Sequence, residues 1–91
     1  MKGRPQKPRV IGIAPRVVKF SPRGPRGRPN TVFLRIDQAE AVRLADLERM
    51  SHARAAAEMR VSRQTFDRIL KKARFTIADA IINGKIIEIR A

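Results

Sequence analysis

Apolar residues recur with helical spacing through the C-terminal two-thirds of this chain and with strand-like spacing near its two ends. From Phe66 the apolar positions run Phe66, Ile69, Leu70, Ala73, Ile77, Ala80 and Ile81, with steps of 3, 1, 3, 4, 3 and 1. Those steps trace one stripe on a 3.6-residue helix. Ser62 stands where an N-cap belongs, and Asn83-Gly84 marks the end, because glycine takes the left-handed conformation readily. An earlier stripe, Ala41, Val42, Leu44, Ala45 and Leu47, predicts a helix from Asp37 to about residue 50. Asp37 and Glu40 form its capping-box-like start, with Ile36 and Ala41 at the staple positions. Between these two lies a short alanine-rich helix, capped by Ser51 and running from His52 to about Arg60. Residues 85–90 read as a short strand with isoleucines on both faces. Val10, Ile11 and Ile13, then Val17, Val18 and Phe20, form shorter β-prone runs. The expected fold class is mainly α: a three-helix helix-turn-helix core with a basic N-terminal arm and short terminal β-strands.

Composition divides the chain in two. All six prolines, four of the five glycines and nine basic residues fall within residues 1–29, which hold no acid. Residues 30–91 carry the helical pattern and a smaller basic excess, so an arm (1–29) precedes a helix-turn-helix domain (30–91). At 91 residues there is room for one small core of modest stability. The absence of cysteine excludes disulfides, thiolate metal sites and cysteine nucleophiles. One histidine, His52, makes no conventional zinc site, so neither a metal nor another cofactor is expected. No serine sits in a nucleophile motif, and Asp37/Glu40 and Asp46/Glu48 read as a cap and a solvated face, so no enzyme is expected. Pro5, Pro8, Gly12 and Pro15 break up any signal-like segment, and no apolar run reaches membrane-spanning length. The expectation is a cytoplasmic protein without a membrane partner.

The net charge of +13 concentrates anionic partners around the chain, and nucleic acid leads among them. The glycines of the arm do not form a phosphate-cradling P-loop, since no Gly-Lys-Ser/Thr follows. Segment 51–76 carries seven basic and two acidic residues, whereas the helix before it is net acidic and suits a supporting role. A helix-turn-helix needs a small residue where its two helices approach, a reversal, a cap, and apolar residues that lock the second helix down. Ala56, Val61, Ser62, Phe66 and Ile69 fill those places, with Phe66 ten residues after Ala56. The first turns of the second helix then present Arg63, Gln64, Asp67 and Arg68 for base reading. Arginine matches the two guanine major-groove acceptors, and glutamine matches adenine. Phosphate contacts are expected from Ser62, Thr65, Lys71, Lys72 and Arg74, from Arg54 on the preceding helix, and from Arg4, Lys7 and Arg9 on the arm. Arg60 occupies a turn position that glycine commonly holds.

The run EAVRLADLERMSHARAAAEMRVSRQTFDRIL (40–70), continued by IADAIINGKIIEI (77–89), resembles a family of small uncharacterised prokaryotic proteins predicted to bind DNA. The C-terminal part of that family is similar to region four of sigma factors. The string VSRQTF (61–66) is the most specific part of the likeness. Departures fall at Arg60, where the family usually has glycine, and at 52–54, where acids are common. The resemblance implies transcriptional regulation through double-stranded DNA. Two other classes of function compete: a sigma-like adaptor contacting RNA polymerase, and an RNA- or ribosome-binding protein. Four phenylalanines with no Trp or Tyr argue against single-strand stacking. A homodimer is expected, because strand 85–90 reads as an open edge that could pair with 17–20, with 32–36 or with a second subunit. Paired reading helices about 34 Å apart suit a palindromic site.

Overall fold

A computed structural model describes residues 9–24 and 29–91. The β-branched run near Pro29 forms a strand, β2 (Thr31–Arg35), which leads without a break into α1 (Ile36–Val42). A π-helical turn (Arg43–Leu47) extends α1, followed by α2 (His52–Met59) and α3 (Arg63–Asn83). The chain closes with β3 (Ile86–Arg90), and a two-residue strand, β1 (Lys19–Phe20), comes from the N-terminal segment. Three helices and a three-stranded sheet result, with about half of the residues helical.

The strand order is β1-β3-β2, with β1 antiparallel and β2 parallel to β3. The C-terminal strand is therefore central. Both of its edges are paired within the chain, so the open edge that suggested a dimer does not exist. All three helices lie between β2 and β3 in sequence, because parallel strands need a long crossover. On the outer face Arg90 stacks over the Phe33 ring, 3.8 Å from its centroid.

The core forms where the three helices meet: Ala41 and Leu44, Ala55, Ala56 and Met59, Phe66 and Leu70. Met50, Val61 and Ile69 pack around it, so both Met50 and Met59 fill core space. The helical stripes hold except at two places. Leu47 is 74% exposed, because the wider π turn carries it out of the 3.6-residue phase that Ala41 and Leu44 keep. Ile81 is also exposed; Ala80 takes the core contact, and Ile81 faces a shallow groove beside Phe20 and Ile87.

Two local expectations are corrected. The first helix is capped at Arg35, not Asp37: the Arg35 N–H donates to Gln38 Oε1 at 2.8 Å, because β2 runs straight into the helix. Asp37 and Glu40 are instead buried ion-pair partners. The N-terminal segment, for its part, is no free arm over residues 9–20. The Val10 N–H donates to Met59 O (3.2 Å), satisfying a carbonyl at the end of α2, and the Gly12 N–H donates to Glu40 Oε2 (2.8 Å). A side chain at Gly12 would meet the Arg43 guanidinium at 2.7 Å, so glycine permits this approach. At the other end, Asp79 accepts from Asn83 and Lys85 across the Gly84 turn, and these bonds hold its carboxyl below the ordinary range. Among the described residues no helix is long and apolar enough to cross a membrane.

Candidate nucleic-acid interface

α2 and α3 are joined by three residues, each with a defined job. Ser51 caps α2 by accepting from Arg54 N–H (3.2 Å). Ala55 and Ala56 are buried, so α3 can pack closely against α2. Arg60 ends α2 in the left-handed conformation (φ 56°, ψ 46°). Its N–H donates to Ala57 O, and the Val61 N–H donates to Ala56 O, the paired bonds of a Schellman turn, with Val61 against the core. This is the turn that glycine favours, made here by arginine. Arg60→Gly is therefore expected to stabilise the fold by about 1 kcal/mol, read from the urea midpoint. An unchanged or lower midpoint would show that the turn is not strained.

Ser62 then caps α3, accepting from Thr65 N–H (3.0 Å) and donating to Thr65 Oγ1 (2.9 Å). Both functions of that hydroxyl are occupied, and Thr65 Oγ1 also receives a long bond from Arg68 (3.4 Å). An anion at this helix start would meet backbone amides and the Thr65 O–H, whose proton stays uncommitted, but not the Ser62 hydroxyl. Phe66, Leu70 and Ala73 are buried along one side of α3, while Arg63, Gln64, Arg68, Lys71 and Lys72 are exposed, as is Arg54 on α2. Each of these residues is thus open to solvent, as contact with a ligand requires.

Three others do something different. Asp67 is held by His52, whose Nδ1 lies 2.9 Å from its carboxylate, and the His52 ring packs tilted against Phe66 at 5.5 Å. The pair ties α2 to α3, so Asp67 is a brace instead of a free base reader. Arg74 makes a two-pronged bond to Asp46 (2.6 and 3.2 Å) that pins α3 to the π turn. This bond holds the Asp46 carboxyl below its ordinary range and withdraws Arg74 from phosphate contact. Arg9 is a half-buried ion-pair partner of Asp37 (3.5 Å), because the docked N-terminal segment carries it there. Arg4 and Lys7 lie outside the described residues.

Sequence reasoning missed what the β2–α1 junction adds. Arg35 and Asp37 come within reach of Arg68 and Lys72, around a cleft of about 260 Å3 beside the first turns of α3. No local signal marked Arg35, since pairing distant in sequence brings it there. Glu40 was read as a cap residue but is 3% exposed and bound by Arg43 through both oxygens (2.8 and 2.9 Å). Burial pushes its carboxyl up, and the Arg43 bonds and Gly12 amide outweigh that, holding it below its ordinary value of 4.5. Among the described residues no group of three or more His, Cys, Asp or Glu is placed to hold a metal ion.

A family described as "Protein of unknown function DUF134" matches residues 1–91. A UPF0251 protein of Chlorobaculum tepidum is 52% identical over 93% of this chain and 56% of its own length. One from Desulfosudis oleivorans is 45% identical over 94% of this chain and 63% of its own length. One from Vibrio vulnificus is 42% identical over 92% of this chain and 85% of its own length. The chain spans about half to two-thirds of the length of several such relatives. No solved structure matches it.

Proposed function

This chain belongs to the DUF134 family, and from that premise we propose that it reads double-stranded DNA through the exposed first turns of α3, as a regulator of transcription. The family's description names no activity, so the reading stands on geometry and charge. The observation that carries it is the two-sidedness of one helix. Arg63, Gln64, Arg68 and Lys71 face solvent, while Phe66 and Leu70 lock the opposite side into the core. A rigid rod presenting arginine and glutamine from its N-terminal turns is what base-edge recognition in a major groove requires. The short α2 supports it from behind, and the His52–Asp67 brace fixes their relation.

Within that surface Arg63 and Gln64 are the base readers, because both are exposed and neither side chain is tied to a neighbour by a hydrogen bond or ion pair among the described residues. Duplexes selected from a random pool provide the cognate sequence for a test. Arg63→Ala is expected to weaken the selected duplex by about 1–3 kcal/mol and to leave a scrambled duplex unchanged. Equal binding of selected and scrambled duplexes by the unaltered protein would reject sequence reading. Tighter binding of single-stranded RNA than of either duplex would reject the choice of DNA.

A further inference from the structure

The cleft between α3 and the β2–α1 junction collects more positive charge than the fold itself uses. Arg68 and Lys72 stand one turn apart on α3 and so share a face. Arg35 reaches in from the end of β2, and Arg9 from the N-terminal segment. One carboxylate, Asp37, lies among these four cations. Its two oxygens are divided between Arg9 (3.5 Å) and Arg35 (3.3 Å), so it aims guanidiniums at the cleft while neutralising only one charge. Like charges one turn apart on a helix repel, and convergence with Arg35 adds to that repulsion. The Arg35 side chain is 62% exposed and Lys72 is exposed, so both keep donors available to a ligand.

We propose that this cleft is a phosphate-binding site, with Arg35, Arg68 and Lys72 as its ligand-facing cations and Asp37 as the positioning residue. Its volume of about 260 Å3 holds a phosphate group with several waters, each water needing about 30 Å3. Guanidinium forks match phosphate oxygens in pairs, and an ammonium adds a mobile point charge. The cleft flanks the exposed turns of α3, so the phosphate it takes is one from a DNA strand bordering the groove. That source rests on the reading of α3 given above; the anion chemistry does not. Arg68 accordingly moves from reading bases to gripping the backbone, and sequence preference is left to Arg63 and Gln64.

The test has two arms, both on the full chain. In the first, inorganic phosphate is titrated into isotope-labelled protein while amide shifts are followed. Shifts should concentrate at residues 35, 37, 38, 68, 69 and 72 and disappear in Arg35→Ala/Lys72→Gln. In the second arm, that double variant should weaken selected and scrambled duplexes by the same factor, roughly tenfold at about 0.15 M salt. Its salt dependence should be shallower by about one phosphate. Lys72→Gln alone, at an exposed helix position, should move both readouts the same way without lowering the thermal midpoint, since it relieves repulsion. Phosphate shifts spread over the basic surface, with duplex affinity unchanged in the double variant, would overturn the site. Localised phosphate shifts with unchanged duplex affinity would support the site and identify a free phosphorylated ligand as its source. If Arg63→Ala has no selective effect while the double variant behaves as described, base reading fails and the phosphate site stands.

Discussion

Phe66→Ala is expected to lower stability by about 3–5 kcal/mol, enough to leave much of the protein unfolded near 37 °C. Phe66 is fully buried among Ala41, Leu44, Ala56, Met59 and Leu70, where helices from all three parts of the core converge. Truncation removes the ring's transfer energy and leaves a cavity that backbone-close alanines cannot fill. It also ends the tilted contact with His52, worth a further fraction of a kcal/mol. In a domain of this size each kcal/mol displaces the thermal midpoint by about 4–8 °C, so a fall of roughly 12–40 °C is expected in calorimetry. Phe66→Leu keeps most of the volume and should lose far less. A loss below about 1 kcal/mol for the alanine variant would mean that α3 is not anchored at Phe66, and the rigid rod on which DNA reading depends would go with it.

Arg43→Ala is expected to cost about 3 kcal/mol, at the lower end for breaking a buried ion pair because Arg43 is itself partly exposed. The variant leaves the Glu40 carboxylate buried with the backbone amides of Gly12 and Ile13 as its remaining partners. Faster amide exchange at Val10 and Gly12 should accompany the loss, since the N-terminal segment docks on that carboxylate. The effect of acid separates the two proteins. In the native chain the folded Glu40 carboxyl lies below its ordinary value of 4.5. Its contribution is therefore complete above that pH and drains away as pH falls through the folded value. Without Arg43 the bonds that most oppose burial are gone and the carboxyl rises, so acidification should cost the variant less than the native chain. Asp46 and Asp79, also held low, weaken both proteins alike on acidification. Urea midpoints between pH 7 and pH 4 decide the matter: a gap that narrows toward pH 4 is the expected result, and a widening gap would refute the assigned roles.

The helices, and the caps of α2 and α3, were legible in the sequence because the signals are local. Ser51 and Ser62 cap the helices they were expected to cap, Gly84 ends α3 in the left-handed conformation, and Phe66, Leu70 and Ala73 face inward as their spacing required. Side-chain chemistry, helical period and turn preference all act within a few residues, so a linear reading captures them. The exposed positions of Arg63, Gln64, Arg68 and Lys71 follow from the same period.

Tertiary structure decided which of those residues are free to bind anything. The attachment of Asp67 to His52 crosses from one helix to the next. The Arg74–Asp46 pair spans 28 residues in sequence, and so does the Gly12–Glu40 contact. The central place of β3 depends on two strands from the other end of the chain, one of them parallel. A charge's partner in space leaves no periodic trace in sequence, because an ion pair needs only proximity and can be assembled from any two elements. The chain by itself thus determined where α3 begins, which way it faces and what it displays. Only the fold determined which cations remain available, and that Arg35, unmarked in the sequence, stands beside Lys72.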